Sequence, residues 1–131
     1  MHRIVVDANV WVRFLRNAHY NPIIICMISY DIEVVVNNYL LSEVSDALVN
    51  NKCMSDKLAT VTIETIKRIC TVVTENAIYG ISPDPEDNYL FDLAVQNNCS
   101  FIVSNDIELL NFKLKPVPIF SSNWFIKHFP V

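Results

Sequence analysis

Asp84-Pro85-Glu86-Asp87-Asn88-Tyr89-Leu90-Phe91-Asp92-Leu93-Ala94-Val95-Gln96, followed after a short polar break by Phe101-Ile102-Val103-Ser104-Asn105-Asp106, decides how this chain folds. The first half is a helix over residues 84–96 with its start written in: Asp84 as N-cap, Pro85 in the first turn, and an acid at the third helical position. Asp87 shares the apolar side of that helix with Leu90 and Ala94, whereas Asp92 lies on the far side and is expected to face solvent. The second half is a short apolar strand, 101–104, that ends at the hydroxyl of Ser104 and runs on to Asp106. Asp106 is in turn a candidate cap for a further helical turn. A helix that delivers the chain into an apolar strand, with a carboxylate near the start of one and just past the end of the other, is a unit of a parallel α/β sheet.

The pattern recurs toward the N-terminus. Residues 3–6 form an apolar strand, and Asp7 follows it at once, with Asn9 two positions on. Asp7 and Asn9 suit a helix cap, with Asn9 also placed to touch a metal-bound water, and a carboxylate at a strand end also suits a ligand crevice. Helical spacing covers 9–16 and 21–29, with Pro22 in the first turn of the second. Residues 33–36 and 71–74 read as strands, 38–50 and 55–69 as helices, 118–120 as a last strand and 123–128 as a closing helix. In the 38–50 helix, Leu40, Leu41, Val44, Ala47 and Leu48 cluster on one face. Asp46 falls opposite them and should be solvated, while Glu43 falls at the edge of the buried face. The alternation predicts an α/β fold with a parallel sheet flanked by helices, its strand order unreadable.

Composition narrows the function. With 131 residues, 52% hydrophobic and 18% charged, the chain is expected to be one compact domain over residues 1–131. Its longest apolar run, 23–28, is far short of a membrane span and reads as a buried helical segment. The start of the chain has no secretory leader pattern, which points to the cytoplasm. Gly80 is the single glycine, so neither a P-loop nor a Gly-x-Gly-x-x-Gly dinucleotide fingerprint can be built. Cys26, Cys53, Cys70 and Cys99 lack zinc spacing and read as free thiols. His2, His19 and His128 have no sequence partners. A net charge of −4 weighs mildly against a nucleic-acid binder. Two bound divalent ions would cancel it. Carboxylates gathered at strand ends need such a cation, and a carboxylate-held metal pair is suited to cutting phosphodiesters.

Three motifs, Ile4-Val5-Val6-Asp7-Ala8-Asn9-Val10, Leu41-Ser42-Glu43-Val44, and above all residues 82–95 in tandem with 101–110, resemble the PIN-domain family. The likeness is to the VapC-like toxin nucleases of bacterial and archaeal toxin–antitoxin pairs in particular, and it spans about residues 3–125 of the chain. It implies a Rossmann-like three-layer α/β/α sandwich with a mostly parallel sheet, an acidic pocket for Mg²⁺ or Mn²⁺, and endoribonuclease activity. The carried-over catalytic residues and metal ligands are Asp7, Glu43, Asp87 and Asp106, supported by Asn9 and Ser104. It also implies an RNA substrate, a homodimer and a cognate antitoxin. Asn105 departs from the small or basic residue common there, which bears on how substrate is gripped.

Metal-assisted hydrolysis is the expected mechanism, with Asp7, Asp87 and Asp106 holding the cation directly or through water and Glu43 orienting from outside. Arg13 and Arg16, one helical turn apart, are candidate phosphate contacts, with a solvated face the equal alternative. Lys113, Lys115 and Lys127 form a second basic candidate under the same alternative. Trp11, Phe14 and Tyr20 are candidates for lining an antitoxin groove, against core packing for at least two of them. Two rival functions remain: an inactive PIN-like module that binds RNA or protein, and phosphotransfer through an aspartyl-phosphate on Asp7. The latter needs a lysine beside the acids, and no lysine follows a strand end.

Overall fold

The computed structural model describes residues 2–16, 21–75 and 77–130. In chain order the elements are β1 (His2–Val6), α1 (Ala8–Leu15), α2 (Pro22–Ser29), β2 (Ile32–Val36), α3 (Asn38–Asn50), α4 (Asp56–Ile69), β3 (Thr71–Val72), a 3-10 turn (Pro85–Asp87), α5 (Asn88–Gln96), β4 (Phe101–Val103), α6 (Ile107–Asn111), β5 (Ile119–Phe120) and α7 (Ser122–His128). Six of the helices start on a side-chain cap, namely Asp7, Asn21, Asn37, Ser55, Asp106 and Ser121. Each satisfies a backbone N–H that the first turn leaves without a partner. Asn9 does not cap α1, as the sequence allowed; Asp7 does, and Asn9 sits inside the helix.

The five strands form one parallel sheet in the order β3-β2-β1-β4-β5. Helices on the two faces complete the three-layer α/β/α arrangement expected of this chain. β1 and β4 lie at the centre, where Ile4, Val5, Val6, Ile102 and Val103 are fully buried. Strands covered on both faces must be apolar throughout, which is why they read as unbroken runs. Trp11, Phe91 and Phe125 are the largest wholly buried side chains, each stabilising the fold by about 2–3 kcal/mol. From β1 the chain moves outward through β2 to β3, then returns to place β4 on the other side of β1. That reversal opens a crevice beyond the carboxyl ends of β1 and β4.

The structure departs from the sequence reading in three larger respects, beside shifts of a residue at several ends. β3 ends at Val72 because its partner β2 ends at Val36, the two residues being in register; the last bond is Val73 N–H to Val36 O at 2.9 Å. The helix expected over 84–96 is divided. Asp84 accepts from Glu86 N–H at 3.1 Å, which tightens Pro85–Asp87 into a 3-10 turn before α5 begins. Residues 23–28 are not a buried segment: Ile23 and Cys26 are buried in α2, but Ile28 is 82% exposed. Among the described residues no helix is long and apolar enough to cross a membrane. All four cysteines are free thiols.

Candidate active site

Asp7 leaves β1 at the switch between the two halves of the sheet, with its own N–H paired to Val103 O at 2.9 Å. Its side chain is almost fully buried, with 6% of its surface exposed. One carboxylate oxygen accepts from Ala8 N–H at 2.8 Å. The other accepts from Ser104 Oγ–H at 2.8 Å and from Asn9 Nδ2 at 3.3 Å. Ser104, at the end of β4, is wholly buried and also receives Asp106 N–H at 3.1 Å. One hydroxyl thus ties the ends of the two central strands together beside the acid.

Of the other three acids, Asp106 and Asp87 come from helix starts and Glu43 from within α3. Asp106 caps α6, accepting from Glu108 N–H at 2.9 Å. Asp87 is the last residue of the 3-10 turn before α5, half-buried. Glu43 lies on α3 at the edge of its buried face, and Asp46 is exposed, both as the helical spacing predicts. The acids feel one another's charge. Burial pushes Asp7 upward from its usual value, and so does Asp106; the Ser104 and Ala8 hydrogen bonds oppose this. Burial raises Asp87 to about 7, helped by Asp7, Asp84, Asp106 and Glu43. Glu43 is raised by burial first and then by Asp7, Glu86 and Asp84. The buried Tyr89 hydroxyl beside Glu43 steadies its charged form, although the pair lacks strict hydrogen-bond geometry.

No described lysine or arginine is among the groups acting on these three carboxylates. The donors are all hard oxygens, the set that Mg²⁺ and Mn²⁺ select. Asp7, Glu43, Asp87 and Asp106 are therefore the residues that could hold such an ion. Among the described residues no three His, Cys, Asp or Glu side chains are drawn together as a ready ligand shell. Mg²⁺ keeps several waters and needs only one or two carboxylates, so this open arrangement still fits it.

A groove of about 340 Å³ between α1 and α3 leads away from the acids. Asn9 and Glu43 line it at one part, and Arg13 and Arg16 line it too. Arg13 is held in place: Nη1 donates to Ser122 Oγ, and Nη2 donates to Asn123 Oδ1 at 3.2 Å. Asn105 completes the tie. Its side chain exchanges two 2.9 Å hydrogen bonds with Ser122, and its N–H donates to Asn9 Oδ1 at 3.2 Å. The residue that departs from the family pattern thus fixes α7 against the turn after β4.

One expectation is overturned. Asp92 does not face solvent: it is 2% exposed and accepts from Ile78 N–H and Tyr79 N–H, both at 3.0 Å. The segment after β3 folds back over α5, so the far side of the helix is not a solvent side. Trp11 and Phe14 are core residues, at 0% and 5% exposure, the core packing expected of at least two of the three groove candidates. Tyr20 and His19 lie outside the described residues. Sequence reasoning also missed Tyr39, Tyr89 and Ser122. Tyr39 stands four residues before Glu43 and Tyr89 two after Asp87, a proximity the sequence already contained.

No curated protein matches the chain closely enough to be called a relative. A family model for the PIN domain matches residues 3–108, a span that includes all four acids. PIN domains are in general nucleases that use divalent metals. With that match over most of its length, the chain belongs to the PIN-domain family.

Proposed function

We propose that this protein is a Mg²⁺- or Mn²⁺-dependent endoribonuclease. The reading rests above all on the uncompensated carboxylates around buried Asp7, three of which are raised first by burial and then by the charge of neighbouring acids. Sites that store like charge in this way are built for a cation. A bound divalent ion supplies Lewis acidity and a nucleophilic water at neutral pH. The chain's own residues do the rest. Ser104 and Ala8 hold Asp7 charged and fixed in direction; Asp87 and Asp106 present oxygens from helix starts; Glu43, outermost, orients water from α3. Arg16, exposed in the adjoining groove, takes a backbone phosphate, and Arg13 assists from its fixed position. Asp7 as a phosphate-accepting nucleophile is disfavoured, because both its oxygens already accept hydrogen bonds.

The finer assignment follows the resemblance: a VapC-like toxin that acts in the cytoplasm as a homodimer and is restrained by a cognate antitoxin. The decisive experiment offers structured and single-stranded RNAs to the protein with Mn²⁺, with EDTA, and as Asp7→Asn. Cleavage is expected only with metal and intact Asp7. A folded protein that neither binds Mn²⁺ in calorimetry nor cuts any RNA would sink the nuclease and favour an inactive binding module. Expressed alone, the wild-type chain should arrest growth, and Asp7→Asn should not; harmless expression of a cutting enzyme would remove the toxin role.

A further inference from the structure

A second and larger cavity, of about 490 Å³, is not used by the cutting chemistry. Tyr39, Tyr79 and Tyr89 line it together with Asn88, Glu86 and Glu75. Its walls belong to the same helical turns that carry the acids. Tyr39 is one turn before Glu43 on α3, so the two side chains share a face. Tyr89 follows Asp87 by two residues at the start of α5. The Glu43 charge is the largest influence on the Tyr39 hydroxyl, which it pushes upward.

The ring of Tyr39 is 50% exposed, yet its orientation is set. It meets Tyr89 edge-to-face, with centroids 4.7 Å apart and planes at 70°. The charged groups around it, Glu75, Glu86 and Asp92, are all carboxylates. Glu75 already takes Asn37 Nδ2 at 2.5 Å, but exposed Glu86 makes no side-chain hydrogen bond or ion pair with the described residues. A cavity rimmed by carboxylates repels phosphate. It suits the neutral face of a nucleobase, and a free carboxylate suits an exocyclic amino group.

We propose that this cavity is a pocket for one unpaired base beside the scissile phosphate, with Tyr39 as the stacking face and Glu86 as acceptor for an amino group on that base. The proposal rests on the reading of the acids as an RNA-cutting site. It makes the substrate a single strand, because a base enters such a pocket only when unstacked from its neighbours. The strand crosses the acids, with backbone toward the Arg16 groove on one side and a base toward Tyr39 on the other. Adenine, cytosine and guanine, which carry exocyclic amino groups, are preferred there over uracil, which carries none.

The test reads binding separately from cutting. Short single-stranded RNAs carrying 2-aminopurine at successive positions are titrated with wild-type protein in EDTA, then assayed for cleavage with Mn²⁺. Stacking should quench the probe at one position. Tyr39→Ala and Tyr39→Leu should weaken that binding about tenfold, while Tyr39→Phe should retain it. Glu86→Gln should narrow the preference for adenine, cytosine and guanine over uracil at the cut site. Tyr39 is half exposed, so unchanged melting of the Leu variant will confirm that the fold is intact. Equal affinity of wild type and Tyr39→Leu, or equal affinity for a duplex, would overturn the pocket, as would the absence of any RNA binding. Cutting without quenching at any position would overturn the pocket but spare the nuclease. Quenching without cutting would support the pocket and count against the nuclease.

Discussion

At the scale of single residues, Asp7 faces conflicting demands. Burial favours its neutral form, yet a cation site needs its charge. Ser104 Oγ–H and Ala8 N–H offset part of that cost by donating to the charged form. Removing the hydroxyl in Ser104→Ala should therefore raise the Asp7 pKa further. The acid limb of the pH–rate profile should move to higher pH, and metal affinity or activity should fall about 10- to 100-fold. A profile that drops in height without moving would mean that Ser104 only braces the two strand ends. Asp7→Asn keeps an oxygen able to accept from Ala8 N–H, so α1 should retain its cap while cleavage is lost. Matching far-ultraviolet spectra of that variant and wild type would separate lost chemistry from lost fold. The sequence placed Asp7 at the end of β1, because an acid straight after a short apolar strand marks a strand end whether it caps a helix or faces a crevice. It was silent about Ser104 as a donor to Asp7, because the two residues meet only when β4 pairs with β1.

At the scale of elements, local signals were legible and long-range coverings were not. Caps and apolar spacing marked the strands and helices of the described residues, α6 as a turn that Asp106 could cap, and α3 was read with both ends right. The error at Asp92 has a physical origin. A helical wheel tells which residues share a side, but not whether another segment lies over that side. Here residues 78 and 79 lie over α5 and offer two N–H groups to Asp92. The carboxylate thus fastens the segment that leads to Asp84 and Asp87. Asp92→Ala removes the acceptor of two part-buried N–H groups and should cost about 1–3 kcal/mol in urea unfolding. Asp92→Asn keeps one acceptor oxygen and should cost roughly half of that. A loss below about 0.5 kcal/mol for the alanine variant, as at an ordinary surface site, would show that the latch contributes nothing. The early ends of β3 and the split before α5 have a similar cause. Strand length was set by the partner strand, and helix onset by one hydrogen bond from Asp84, neither of which spacing encodes.

At the scale of the whole molecule, the acids make stability depend on pH and on metal in a linked way. Asp7, Glu43 and Asp87 are all raised above their ordinary values in the folded chain. A group raised on folding stabilises fully below its unfolded pKa, and that contribution is lost as pH climbs through the folded pKa. For Asp87 the window runs from the ordinary 3.8 to about 7. The metal-free protein should thus melt at a lower temperature at about pH 8 than at about pH 5, by a few degrees. Mn²⁺ reverses the sign locally, because a cation favours the charged carboxylates that repel one another without it. The gain in Tm on adding Mn²⁺ should be large at about pH 8 and small at about pH 5, where protons compete for the same oxygens. Asp87→Asn should melt higher than wild type without metal at the upper pH, and should gain less from Mn²⁺. Melting curves over those four conditions decide the matter without an RNA substrate. A Tm that rises with pH in EDTA, or that ignores Mn²⁺ at about pH 8, would mean that these carboxylates are held apart by the fold and serve no cation. The net charge of −4 then has no counterweight, and RNA loses its route to the crevice.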